Sequence, residues 1–314
     1  MSMKTPMKID VHQHVQPPFW VEHLRQEKPG YRLPDWSPEV AMASMDAQGI
    51  AKGMLSLTDP GLSSWPSGEH RDVARKVNEY TAELGAKWPT RFGNLATLPL
   101  PDVDGAVREA AYALDALGAD GVLLFSHYGD QYLGDPLFEP LWDELDRRAA
   151  VVLIHPTATA LPDLDGIPAP VVDFPFATTR TAVDIVLKGV LDRHQNVRVI
   201  LSHAGGFLPY TAYRIAMGGS KRPGSPSIDA LMDTFRRFYL DTAVSSSPTT
   251  IPSLKAFADP AHIVFGSDYP YAVGMSAEVT ATLDTTPLVS EAERAAISHL
   301  NARTLFSDRT ARPS

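Results

Sequence analysis

The chain has 314 residues, 44% of them hydrophobic and 21% charged, which is the profile of a folded globular chain long enough for a sizeable core. Its formal net charge of −9 disfavours nucleic acid as a partner and leaves no basic patch for a membrane surface. The absence of cysteine excludes disulfides, thiolate metal sites and a cysteine nucleophile, so any metal site must be built from imidazole and carboxylate.

No apolar run reaches the roughly 18 residues of a membrane span. The stretch from Met1 to Lys8 is short and polar with no signal-peptide core, so the cytoplasm is the expected location. The first apolar run, Lys8–Val15, contains Asp10-Val11-His12-Gln13-His14. In a strand, alternation puts His12 and His14 on one face, where they form a two-nitrogen grip for a divalent ion. Asp10 points the same way one pleat deeper and is expected to hold a neighbouring side chain.

Seven further β-branched runs follow: Gly53–Leu57, Gly93–Leu98, Gly121–Phe125, Val151–His155, Val197–His203, Phe238–Thr242 and His262–Asp268. Helical patterns lie between them. Ser37–Gln48 has Ser37 as N-cap and Pro38 at its first turn. His70–Lys87 and Asp102–Leu117 flank the third strand, with Gly118 closing the second of them. Leu137–Ala149, Ala177–Arg193, Leu208–Ala216, Ile228–Arg237, Thr249–Phe257, Ser290–Leu300 and Asn301–Phe306 complete the set. Eight strands alternating with helices predict a parallel (β/α)8 TIM barrel, an α/β fold, in one domain spanning 1–314. A doubly wound sheet would place a glycine-rich turn after the first strand, where this chain has His-Val-Gln-Pro-Pro. The proline-rich stretches Gln16–Pro34, Asp59–Gly68, Ala158–Pro175 and Gly218–Ser227 read as loops after strand C-terminal ends, the face on which barrel enzymes build their sites.

Four strand ends carry the chemistry: His12 and His14, then His155, His203 and Asp268. Singly, each has a structural reading as a buried hydrogen-bonded imidazole or a turn-anchoring carboxylate. In a closed barrel, with strands eight and one adjacent, they converge on one mouth. Imidazoles with one carboxylate suit Zn²⁺ first, with Mn²⁺, Co²⁺ or Fe²⁺ as alternatives.

Asp-Val-His-Gln-His, Ile-His-Pro, Leu-Ser-His-Ala-Gly-Gly and Gly-Ser-Asp-Tyr-Pro, in this order, resemble the amidohydrolase superfamily over essentially the whole chain. More narrowly they resemble its metal-dependent, non-oxidative decarboxylases, which include 2-amino-3-carboxymuconate-6-semialdehyde, γ-resorcylate and 6-methylsalicylate decarboxylases. The resemblance implies His12, His14, His155 and Asp268 as metal ligands and His203 as a catalytic acid/base beside the metal, with Asp268 sharing the proton transfer. Many binuclear members carry a carbamylated lysine on strand four. Here that strand reads Gly-Val-Leu-Leu-Phe-Ser-His, which implies a single metal. His127 falls near that place, as a loop histidine that could line the pocket.

Where the muconate enzyme has a substrate-binding arginine early in its first helix, this chain has Ala41, Ala43 and Ser44, which argues against the muconate substrate. The stretch Gly205–Tyr210 followed by Arg214 resembles the segment that lends an arginine across that enzyme's dimer interface. Arg214 is therefore a candidate for a substrate carboxylate, and a homodimer or tetramer is expected. Phe176, in Phe174-Pro175-Phe176, and Phe19, beside Trp20, are candidates for an aromatic wall. The expected reaction is decarboxylation of an ortho-hydroxybenzoate-like or related unsaturated acid, without an organic cofactor. The alternative is hydrolysis of a lactone, ester or amide by the same site.

Overall fold

The computed structural model describes residues 7–162, 164–271 and 274–307. Eight strands form a nearly closed barrel: β1 (Lys8–Val15), β2 (Ile50–Leu57), β3 (Phe92–Thr97), β4 (Gly121–Phe125), β5 (Val151–His155), β6 (Arg198–Leu201), β7 (Tyr239–Asp241) and β8 (Ile263–Val264). Each pairs parallel with the next in chain order. Among the described residues no regular ladder joins β8 to β1. Three backbone bonds close that seam: Val11 N–H to Phe265 O at 2.9 Å, His14 N–H to Tyr269 O at 2.7 Å, and Asp268 N–H to His12 O at 2.9 Å.

Helices cover the outside, and the sequence explains their starts. Ser37 Oγ accepts from Val40 N–H, and Asp102 accepts from Gly105 N–H, as N-caps should. Every residue of β4 and β5 is buried, as expected for parallel strands covered on both faces. Val122, Leu124, Val152 and Ile154 pack outward with Ala110, Trp142 and Ile185 of the helical layer. Leu95, Leu123, Leu153, Ile200 and Val264 form a second cluster with Val11, Ala302 and Leu305. The helix Asn301–Ser307 is tied to β6 by Arg198, which donates to Leu305 O.

The structure departs from the expected elements in four places. The loop expected over Gln16–Pro34 contains the helix Pro18–Glu27, started by Pro18 and anchored by the fully buried Trp20 and Leu24. A helix not expected, Met275–Thr285, follows β8. The helix expected over Ala177–Arg193 starts at Asp173, ends at Leu187, and resumes as Val190–Arg193 after Gly189 at φ 69°. Strands six and eight stop short of His203 and Asp268, which lie on turns beyond them.

Candidate metal centre

β1 is not a regular strand where it matters. Asp10 pairs with Gly53, but Gln13 pairs with Leu55, so three steps on β1 oppose two on β2. The extra residue is a β-bulge, a device that re-aims side chains. Val11 therefore packs into the inner cluster while the rings of His12 and His14 meet each other. His155 is the last residue of β5. His203 and Asp268 have φ of 54° and 60°. Two non-glycine residues in this left-handed region are strained positions of the kind that cluster at functional sites.

The five side chains meet. His12 Nε2 lies 3.1 Å from His14 Nε2 and 3.2 Å from Asp268 Oδ1. His14 Nε2 is 3.2 Å from the same oxygen, and His203 Nε2 is 3.4 Å from Asp268 Oδ2. His12, His155, His203 and Asp268 each offer a donor atom within 4.8 Å of the others. The rings of His14 and His155 stand edge-on with centroids 4.8 Å apart.

Three of the imidazoles are tied down from behind. His12 Nδ1 meets Asp241 Oδ2 at 2.7 Å, His14 Nδ1 meets Ser56 O at 3.3 Å, and His155 Nδ1 meets Pro156 O at 2.7 Å. A carboxylate or carbonyl can only accept, so Nδ1 of His12 and of His155 carries a proton; Nδ1 of His14 faces both Ser56 O and, at 3.2 Å, Ser56 Oγ, and donates to the carbonyl when its ring is the Nδ1–H tautomer. Neutral rings in that tautomer turn their Nε2 lone pairs to the centre. Three lone pairs and a carboxylate would then face one another, an arrangement that repels unless a proton or a metal ion stands among them. Donor atoms each about 2.1 Å from one ion lie roughly 3.0–3.4 Å apart, which the His12, His14 and Asp268 separations match. The donor set fits one divalent ion.

The electrostatics agree. Burial opposes a charge on His12, but Asp241 and then Asp268 outweigh it and push its pKa up to about 10. Burial lowers His14, and burial with the neighbouring His14 and His12 holds His155 well below the usual imidazole range. Burial would raise Asp268, but bonds from His12, His14 and His203 hold it well below the usual carboxylate range. Positive charge is thus favoured most at the ring with the most acidic surroundings. His203 differs from the other three: its buried Nδ1 has no hydrogen-bond partner among the described residues.

Beside the centre lies a cavity of about 460 Å³ over the ends of β2 to β5, lined by Asp59, Leu98, Leu100, Phe125, His127 and Tyr128 among others. Phe125 is shared between the two, its ring 6.3 Å from that of His155. His127 lines this cavity, stacked on Tyr132 at 5.1 Å.

The residues expected to bind substrate are placed differently. Phe19 is half-buried under Lys76, 4.2 Å from its ring, in the cluster of Trp20 and Leu24, away from the centre. Phe176 lies against Arg180 at 5.3 Å. Its neighbour Phe174 is the one beside the site, edge-on to His155 at 6.1 Å. Arg214 is exposed on the helix Leu208–Gly219 and makes no ion pair among the described residues. Asp10 braces rather than faces the site: it accepts from Ser267 N–H at 3.0 Å, Ser267 Oγ at 2.5 Å and His12 N–H at 3.1 Å.

Residues 9–307 match the family model described as amidohydrolase. The chain belongs to the amidohydrolase family. It is 41% identical over 285 residues to the decarboxylase yanB of Aspergillus niger, covering 84% of this chain and 77% of that one. It is equally 41% identical over 282 residues to the 6-methylsalicylic acid decarboxylase acuB of Aspergillus aculeatus, covering 85% of each. Among solved structures, a 2,6-dihydroxybenzoate decarboxylase in complex with 2,6-dihydroxybenzoate superposes with a TM-score of 0.82 at 27% identity, over 96% of this chain and 99% of that one. A dihydroxybenzoic acid decarboxylase from Polaromonas with bound manganese and 2-nitroresorcinol gives 0.81 at 26%, over 98% and 99%.

Sequence reasoning missed three residues that surround this candidate site. Asp241 holds His12 from β7, Ser56 lies behind His14 on β2, and Tyr271 stands 5.7 Å from the His14 ring. Tyr271 Oη accepts from Gln16 Nε2 at 3.2 Å, and burial pushes its pKa up. The Tyr-Leu-Asp-Thr run around Asp241 carried one usable signal, a carboxylate ending an apolar strand, which needs a partner when buried.

Proposed function

We propose that this amidohydrolase is a non-oxidative carboxy-lyase that removes CO₂ from a small aromatic acid bearing an ortho hydroxyl, working as one domain with a single divalent ion. The observation that carries the reading is the set of imidazole nitrogens and one carboxylate that converge beside a cavity of about 460 Å³, roomy enough for a single aromatic ring. Relatives named for 6-methylsalicylic acid decarboxylation support the substrate class. Zinc suits the imidazole-rich donor set, and the manganese-bearing relative keeps manganese as the second choice.

His12, His14, His155 and Asp268 would hold the ion. When bound, it supplies a Lewis acid that orients the carboxylate and phenol oxygens and stabilises phenolate charge. His203 Nε2 and Asp268 Oδ2, 3.4 Å apart, hold a proton between them. That proton passes to the ring carbon bearing the carboxyl group. The C–C bond then breaks, CO₂ leaves, and the bonding pair restores aromaticity. Phe174 and Phe125 both stand edge-on to His155, and Phe125 lines the cavity in which the ring would lie.

The working form is a homodimer or larger homo-oligomer. Phe207, Tyr210, Tyr213 and Met217 form an exposed face, Tyr210 at 89%, with Arg214 among them. An interface there would carry Arg214 to a carboxylate that it does not meet within its own chain. Sizing chromatography coupled to assay tests this: a fully active monomer overturns it.

The chemistry is tested by mass-spectrometric product analysis with zinc- and manganese-loaded protein on ortho-hydroxybenzoates and simple lactones. Loss of 44 mass units, the mass of CO₂, from a hydroxybenzoate is the expected result. Addition of water to a lactone, with the acids untouched, would overturn it in favour of a hydrolase.

A further inference from the structure

Asp241 does two jobs with its two oxygens. Oδ2 takes the Nδ1 proton of His12 at 2.7 Å. Oδ1 takes the backbone N–H of His203 at 2.8 Å and that of Ala243 at 3.0 Å. The residue is fully buried at the end of β7, and Gly266 leaves the room in which Asp241 and His12 approach each other. His203 and Ala204 are in the left-handed region at φ 54° and 55°, so the turn that presents His203 must be held by something outside itself.

We propose that Asp241 is the positioning residue of this site: one carboxylate sets the tautomer of a metal-binding histidine and clamps the strained turn that carries the proton-transfer histidine. The proposal rests on the reading of the centre as a metal site, but concerns Asp241 alone.

Its consequence is unusually sharp for asparagine. Two backbone N–H groups converge on Oδ1, so the amide oxygen of Asp241→Asn must stay there and its NH₂ must face His12. Nδ1 of His12 then has to accept, and the ring proton moves to Nε2. That proton points at Asp268 Oδ1, 3.2 Å away, in the space where a cation would sit. The substitution keeps the shape and the clamp on His203 and inverts the ligand.

The test is titration calorimetry with Zn²⁺ and Mn²⁺ on the full chain, with ¹⁵N NMR of the histidine rings. Asp241→Asn should weaken binding of either ion by roughly 10–100-fold and leave the His12 ring protonated at Nε2 and not at Nδ1. Wild-type affinity with His12 still protonated at Nδ1 would overturn the proposal. Should the variant fail to fold, wild-type protein loaded with ¹¹³Cd²⁺ decides it. Cadmium coupled to Nε2 of His12, with Nδ1 protonated, supports the assignment; coupling to Nδ1 overturns it. If instead no ion binds wild-type protein while NMR still finds Nδ1 of His12 protonated against Asp241, the metal reading fails and the Asp241 assignment stands.

Discussion

The Nε2 atoms of His12 and His14 lie 3.1 Å apart although a bulge interrupts the strand that carries them. With a proton on each Nδ1, two neutral rings cannot donate to each other through Nε2, and the contact is favourable only around a shared proton or a metal ion. His14→Ala should therefore cost more metal affinity than the roughly 10–100-fold typical of losing a supporting hydrogen bond. Metal content by mass spectrometry after dialysis checks this, and His14→Ala retaining one full equivalent would remove the histidine from the ligand set.

His203 is expected to behave oppositely. Among the described residues its Nδ1 has no hydrogen-bond partner and its Nε2 meets the far oxygen of Asp268, so it can act on a proton without being needed to hold an ion. His203→Ala should keep its metal and lose roughly 100–10,000-fold in kcat. Parallel loss of metal and turnover would instead make it a ligand.

Gly61 has φ 60°, and a Cβ there would run into the Phe125 ring, which walls the cavity and neighbours His155. Gly61→Ala is expected to destabilise the fold by about 2 kcal/mol through left-handed strain and to raise KM by displacing Phe125. Denaturant unfolding and steady-state kinetics read the two effects. An unchanged KM would show that Phe125 does not shape the substrate pocket.

One stability effect lies far from the site. Glu139 accepts from Arg193 at 2.7 and 2.9 Å and from His194 at 3.0 Å, joining the helix Glu139–Arg147 to Val190–Arg193. Arg193 chiefly, with His194, holds its pKa down to about 2 against partial burial. A lowered acid pKa means that the folded state releases the proton more readily. The contribution is therefore full above about pH 4.5 and fades as pH falls toward 2. Glu139→Gln should cost about 1 kcal/mol at pH 7 and progressively less between pH 4.5 and 2. A constant difference across that range in urea titrations would sink this account.

The chemistry of the site was easier to read in the sequence than its geometry. His12, His14, His155 and Asp268 were recognisable because a polar residue ending an apolar run is conspicuous, and barrel topology brings such ends together. The positions of His203 and Asp268 were misjudged by two and four residues because positive-φ turns leave no mark in an alternating pattern when the residue is not glycine. The bulge in β1 was invisible for the same reason: it follows from pairing with β2, not from local periodicity. Pro17-Pro18 read as loop, although proline is favoured in a helix's first turn, and so the helix that buries Trp20 and carries Phe19 off to Lys76 was missed. Asp241 could not be assigned from its neighbours, since its partners stand 38 and 229 positions away in the chain.

The seam between β8 and β1 is spanned by three backbone bonds, and the donors His12, His14 and Asp268 sit on its two sides. An ion gripped there would act as a clasp on the ring, fastening the first strand to the last. Its donors run from position 12 to position 268, so the grip does not exist until the chain has emerged past Asp268 and folded. Loading would then report closure of the barrel, and a truncated chain ending before Asp268 would be left open at the edge where the circle should close.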